Sequence, residues 1–362
     1  MKYLNALNKI NGVGPQKMRR LLSHFGEPEL VWQADLAELK SSKIGDAIIE
    51  KIITERKNID PDQEWEILEK EKIRMIIFGS PEYPVLLKEI PNPPYILYVK
   101  GNFDFNCAPM ISIVGSRKYT AYGAQVASAF ARDLAQAGIT VVSGMALGID
   151  AIAHRGALDG SGKTVAVLGN SLEDKNIYPR ANFNLSREIM ENGCLLSDFP
   201  SDTPPLEFNF PARNRIIAGL SLGTLVIEAG EKSGTLITSA LALEFNREIF
   251  AVPGSIFSLQ STGTNSLIKK GAKMVTSVKD ILEELDLDQR KSTSWRTVEK
   301  IAKIPQNKEE EIILKILSSD PLHIDNLAKM SRLNPSSVSA TLVMLEIKGW
   351  VKNIGGQNYI IT

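Results

Sequence analysis

The sequence predicts an α/β protein, a mainly parallel sheet with helices on both faces. Three observations predict it. Short apolar runs recur at 110–114, 139–142, 164–168, 194–196, 224–227 and 249–252. They are mostly apolar and do not alternate with charged residues, which suits strands covered on both faces as in a parallel sheet. Helical patterns separate them, as after 114, where Val126, Phe130 and Leu134 fall on one face. Polar, glycine-containing turns close the runs, and open α/β sheets hold ligands beyond the carboxyl ends of their strands.

Composition bounds the reading. A chain of 362 residues suggests two or three domains. Lys+Arg and Asp+Glu are both 42, so the net charge is zero. A broadly basic nucleic-acid surface is therefore disfavoured, and any DNA-binding charge must be concentrated in one groove. Cys107 and Cys194 stand far apart with no Cys-x-x-Cys spacing. Neither a disulfide framework nor a zinc site is expected, and a reducing cytoplasm fits. No metal and no cofactor is called for. The N-terminus carries no signal-peptide pattern, and no apolar run approaches the roughly 18 residues that span a bilayer.

Residues 1–65 read as a separate all-helical domain. Asn11-Gly-Val-Gly-Pro15 is a glycine turn opening a helix, with Met18, Leu21, Leu22 and Phe25 at helical spacing. This is the helix-hairpin-helix (SAM-like) pattern, whose turn points backbone N–H groups at a phosphate. Met18 stands where a small residue is usual, and a second turn at Lys43-Ile-Gly45 is degenerate. A phosphate contact and a purely structural helical domain both fit. Residues 66–285 form the central domain. Its lead-in holds short strands at 74–78 and 95–99, separated by Pro81, Pro84, Pro91, Pro93 and Pro94. Residues 286–307 are polar and read as a linker. Residues 308–362 give three short helices and a hairpin turning at Gly355-Gly356, the pattern of a winged helix. Asn334-Pro335 would cap its third helix. That helix lacks early Arg, Asn or Gln for reading bases, and the domain's charges balance. Protein interaction and groove binding both fit it.

The central domain carries the chemistry. The run 110–114 ends in Gly115-Ser116-Arg117, ahead of a helix. A strand, a tight turn and a helix N-terminus form an anion-binding arrangement. The turn lacks Gly-x-Gly-x-x-Gly, and Arg117 replaces the second glycine that lets a pyrophosphate approach the backbone. An arginine there suits a phosphate held from the side; a surface salt bridge is the plainer alternative. Further segments follow at Ser143-Gly-Met-Ala-Leu-Gly-Ile-Asp-Ala-Ile-Ala-His154, Phe208-Asn-Phe-Pro-Ala-Arg-Asn-Arg-Ile-Ile-Ala-Gly-Leu-Ser221, Ser233-Gly-Thr-Leu-Ile-Thr238 and Phe250-Ala-Val-Pro-Gly254.

In this order and spacing the five segments closely resemble the DNA-processing protein A family (DprA, also called Smf). The resemblance covers about residues 75–285 strongly and the flanking regions by type. It implies a Rossmann-like central domain, binding of single-stranded DNA, loading of the RecA recombinase in natural transformation and recombination, and a homodimer through the central domain. It also implicates a basic residue and a nearby aromatic within Tyr178-Pro-Arg-Ala-Asn-Phe183 in DNA contact. Arg180 would be a phosphate clamp, with Asn182 beside it. Phe183 is either a stacking platform or packing under the next helix. Lys163 opens a strand and is either a contact or a solvated end. Arg213, Asn214 and Arg215 at a helix start suit phosphate, sugar and base edge, or one arginine braces an acid such as Glu228. Gly234 and Thr235 open another helix as a third anion site.

Asp150 and His154, four apart, share a helix face. No nucleophile accompanies them, so a helix-capping acid and a loop-fixing histidine are expected rather than an acid–base pair. The sequence thus favours a non-catalytic single-stranded DNA binder. The alternative is a nucleotide-processing hydrolase of related α/β fold, disfavoured because Glu228-Ala-Gly-Glu-Lys-Ser-Gly-Thr235 lacks that class's Pro-Gly-Gly-x-Gly-Thr loop.

Overall fold

The computed structural model describes residues 1–287, 307–317, 322–348, 350–353 and 355–361. The chain forms two compact units, Met1–Asp288 and Gln289–Thr362. Most of the expected linker, 288–306, lies outside the described residues.

The first unit is built on nine strands: β1 Ile73–Ile77, β2 Ile96–Gly101, β3 Met110–Val114, β4 Thr140–Ser143, β5 Thr164–Val167, β6 Gly193–Ser197, β7 Gly223–Val226, β8 Glu248–Ala251 and β9 Lys273–Met274. Their order is β1-β2-β6-β5-β4-β3-β7-β8-β9. All pairs from β6 to β9 are parallel, while β1-β2 and β2-β6 are antiparallel. Each of the six apolar runs is a strand, with ends displaced by at most a residue or two. β9 carries no apolar signal because both its residues are exposed at an edge.

Alternation along β3 divides the core. Ile111 and Ile113 join Ala127, Phe130 and Leu134 of the helix Ala121–Gln136 and Ala153 of the helix Ile149–Asp159. Met110 and Val114 join Ile216, Ile217 and Leu220 of the helix Asn209–Leu220 on the other face. Helices therefore cover both faces, as the doubly apolar strands require.

The N-terminal helices share their core with the sheet. Leu4, Leu7, Met18, Leu21, Ile52 and Leu68 belong to one cluster with Ile96, Tyr98, Leu168 and Leu195. The Tyr98 hydroxyl donates to Asn5 Oδ1 at 2.8 Å and accepts from Asn8 Nδ2 at 3.2 Å. The expected boundary at 65/66 falls inside the helix Pro61–Lys70. Met18 is a core residue, which accounts for its size at a position where the motif is usually small. At the first turn, Gly12 takes φ +92°, and the Asn11 N–H already donates to the Glu55 carboxylate at 2.9 Å.

The second unit has helices Lys308–Ile316, Ile324–Ser331 and Pro335–Ile347 and strands β10 Leu322–His323, β11 Val351–Asn353 and β12 Asn358–Ile361. The strands form an antiparallel sheet in the order β10-β12-β11, giving the expected winged helix. Asn334 caps the third helix, accepting from Ser337 N–H at 2.7 Å. Val338, Leu342 and Leu345 pack against Ile313, Leu327 and Tyr359.

Candidate nucleic-acid interface

The chain leaves β3 through β4, β5 and β6 on one side, then crosses to β7 and β8 on the other. The strand order thus reverses between β3 and β7, and such a switch point opens a crevice beyond the strands. A cleft of about 790 Å³ lies there, lined by Gly115, Ser116 and Arg117 after β3 and by the 230–235 turn after β7. Asp150, Tyr178, Phe210, Arg213 and Asn214 complete its wall.

The turn after β3 is fixed from several sides. Ser116 N–H donates to Glu228 O at 2.8 Å, and Ile149 N–H donates to Ser116 O at 3.3 Å. The Ser116 hydroxyl accepts from Lys118 N–H at 3.0 Å, so it is committed to the turn itself. A Cβ on Gly115 would stand 2.7 Å from Ile149, so only glycine permits this approach. Arg117 is exposed, its guanidinium 5.7 Å from the Phe210 ring centroid. Phe210 in turn stacks on Tyr178, centroids 5.8 Å apart and planes 30° apart. A cation beside two stacked rings suits a ligand with phosphate and aromatic parts.

Other expected site residues take different roles. Arg213 is buried and donates through Nη1 to Gly144 O at 2.8 Å and to Val167 O, tying together the carboxyl ends of β4 and β5. Burial pulls its pKa down to about 10, against the favourable charge of Asp150. Burial raises the Asp150 carboxyl, with the Arg213 charge opposing. Arg215 pairs with Asp198 and donates to Asn92 O. The bracing expected at Glu228 is thus made at these groups. Glu228 instead accepts from Thr120 N–H and Oγ1 at 2.9 and 2.6 Å, ahead of the helix Ala121–Gln136. Asn214 is half-buried on the cleft wall. Gly234 and Thr235 also line the cleft, but the Thr235, Leu236 and Ile237 amides already donate within the turn. This weakens the expected third anion site, because an incoming anion would have to displace those bonds.

Arg180 is exposed and donates to Asp174 O at 2.8 Å. Its guanidinium lies 4.1 Å from the Phe183 centroid. Asn182 is buried, and its amide donates to Met145 O and Ala146 O at 2.9 and 3.4 Å, so it joins the rim to the loop after β4. Phe183 is half-buried against the core shared by the N-terminal helices and the sheet, which is the packing role expected of it. Lys163 precedes β5 at its amino end, opposite the cleft, with its ammonium over Phe103 at 5.8 Å.

His154 does not fix a loop. It joins its helix to β5 through Nδ1 and Thr164 Oγ1, 2.7 Å apart. The Thr164 proton goes to Val141 O, so Nδ1 carries the imidazole proton. Nε2 is buried without a partner, and burial lowers the pKa to about 3. Asp150 faces the loop after β4, accepting weakly from Ala146 N–H at 3.4 Å. Among the described residues, no His/Cys/Asp/Glu cluster could hold a metal ion, and no helix is long and apolar enough to cross a membrane.

Tyr178 and Phe210 were not singled out by the sequence, although both lie in quoted segments. Aromatic residues beside Pro179 and Pro211 are the only local signal, and nothing in one sequence says that the two rings meet.

Fold and cleft together define a class: a Rossmann-like α/β unit with a switch-point cleft lined by charged groups of both signs and by aromatic rings, joined in one chain to a winged helix. The chain belongs to the DNA recombination-mediator protein A family, whose model matches residues 74–286; the DprA winged-helix model matches 300–357. Protein Smf of Synechocystis is 36% identical, covering 99% of this chain and 98% of that protein. The DNA processing protein DprA of Bacillus subtilis is 42% identical over 59% of this chain and 71% of its own length. The X-ray structure of DprA from Streptococcus pneumoniae superposes with a TM-score of 0.67 at 35% identity, over 78% of this chain and 98% of that one. A Helicobacter pylori DprA structure, described for its single-stranded DNA binding mode, gives 0.54 at 32% identity, over 60% and 97%.

Proposed function

We propose that this protein binds single-stranded DNA in the switch-point cleft without cleaving it, and passes the strand to the RecA recombinase as a homodimer. The observation that carries the reading is Arg117 at the mouth of the cleft beside the stacked Tyr178 and Phe210 rings. A guanidinium takes a phosphate oxygen, and aromatic faces accept any base, which is what sequence-independent strand binding requires. Membership of a recombination-mediator family, and the single-stranded DNA described for the Helicobacter relative, support the same substrate.

The hydrolase alternative needs a free carboxylate at the ligand. Glu228 is committed to Thr120 and Asp150 is buried against the Arg213 charge, while Glu207 and Glu231 line the cleft, so release of base from a nucleoside monophosphate is what separates turnover from binding. Exposed Leu243, Ile256 and Phe257 supply apolar surface for a second subunit. The test is a titration with a poly-thymidine oligonucleotide and a blunt duplex, together with incubation with nucleoside monophosphates. Preference for the strand and no released base are expected. Tighter duplex binding, or base release, would contradict the reading.

A further inference from the structure

The Phe183 ring is not a bare platform. The Arg180 guanidinium lies 4.1 Å from its centroid and the Arg187 guanidinium 4.8 Å from it. Two cations converge on one half-buried ring whose other contacts are with the helical core. The two guanidiniums compete with a base for this ring, and guanidinium planes themselves stack on bases. Arg187 is exposed on the helix Phe183–Glu191 and has no acidic partner within salt-bridge distance among the described residues. Its neighbour Glu188 is already paired with Arg155. Among the described residues no salt bridge holds the Arg187 guanidinium. Arg180 and Phe183 follow the cleft in the chain: Tyr178 lines it, and Asn182 is bonded to Ala146, which lines it too.

We propose that Arg187 is a DNA-contacting residue, and that Phe183 acts by holding Arg180 and Arg187 as a two-guanidinium clamp for the strand leaving the cleft past Tyr178. The proposal rests on the single-stranded DNA reading of that cleft. Each guanidinium takes a phosphate oxygen on its outer edge, while the ring fixes its plane and reduces the side-chain entropy lost on binding. Arg187 therefore belongs to the binding surface although it lies outside the cleft.

The test uses the full chain, a labelled poly-thymidine oligonucleotide and fluorescence anisotropy across a salt series. Arg187→Ala is expected to weaken binding about three- to tenfold and to flatten the slope of log K against log salt by about 0.7, one phosphate's share. Arg187→Lys should keep the slope, since the charge remains. Phe183→Leu, which keeps an apolar side chain in the core, should weaken binding without changing the number of charges. Arg117→Ala is measured in parallel. Wild-type affinity and slope in Arg187→Ala, with Arg117→Ala impaired, would overturn the clamp and leave the cleft reading standing. A wild type that does not bind the strand, or an Arg117→Ala indistinguishable from it, would overturn both.

Discussion

Residues of one type divide by burial into different jobs at this site. Arg117, Arg180 and Arg187 are exposed and touch rings, while Arg213 is buried and touches main-chain carbonyls. Removing Arg213 would leave the Asp150 carboxyl buried without its compensating charge and two carbonyls without a donor. Leaving a buried polar group without its hydrogen-bond partner costs about 1–3 kcal/mol. Arg213→Ala is therefore expected to lower the denaturant midpoint sharply, and Arg117→Ala to leave it unchanged. An unchanged midpoint in Arg213→Ala with weakened DNA binding would return that residue to the role its position in Arg213-Asn214-Arg215 first suggested. The sequence could show two arginines around Asn214, but the helix starts earlier, at Asn209, so they lie inside it and not at its N-terminus. The sequence could not show which of them turns inward, because that depends on the carbonyls of β4 and β5, distant in the chain.

At the scale of elements, His154 fastens the helix Ile149–Asp159 to β5, and that link is sensitive to acid. Its folded pKa, about 3, lies below the ordinary 6.5, because protonation would bury a charge at Nε2. As pH falls below 6.5 the unfolded chain takes the proton first, so stability is lost progressively between about 6.5 and about 3. The loss is about 1.4 kcal/mol per pH unit from this group. Asp150 works in the opposite direction: its raised pKa adds stability at low pH that is lost as pH rises through the folded value. Comparing wild type with His154→Asn across that window isolates the histidine. The variant should flatten the acid side of the stability profile and bind DNA normally at neutral pH. Parallel profiles would show that the imidazole is not held neutral. The elements themselves were legible wherever apolar periodicity was strong, as in β3 to β8. β9 and β10 are two-residue strands, too short to leave a pattern, and their pairing is decided by the strands beside them.

At the scale of the whole molecule, the two units differ in what the sequence revealed. The winged helix was legible from its caps and its glycine turn. The union of N-terminal helices and sheet was not, because Leu7, Met18 and Leu68 look like the core of any small helical domain until Tyr98 and Leu195 are found among them. Residues 1–287 should therefore fold as one cooperative body without the winged helix. They should bind a single strand within about tenfold of the full chain, roughly 1.4 kcal/mol. A larger loss in a truncation that still folds would move the principal DNA contact into the winged helix.

Strand binding by this protein is expected to depend on phosphate contacts at the switch-point cleft and not on base reading. The most direct measurement is the salt dependence of poly-thymidine binding by wild type and Arg117→Ala. With about three phosphates neutralised per protomer, the wild-type slope of log K against log salt should be near −2, from about −0.7 for each phosphate on a single strand. Arg117→Ala should bind more weakly with a slope flatter by about 0.7 and an unchanged thermal midpoint. A salt-independent wild type, or an Arg117→Ala variant with the same affinity and slope, would contradict the account.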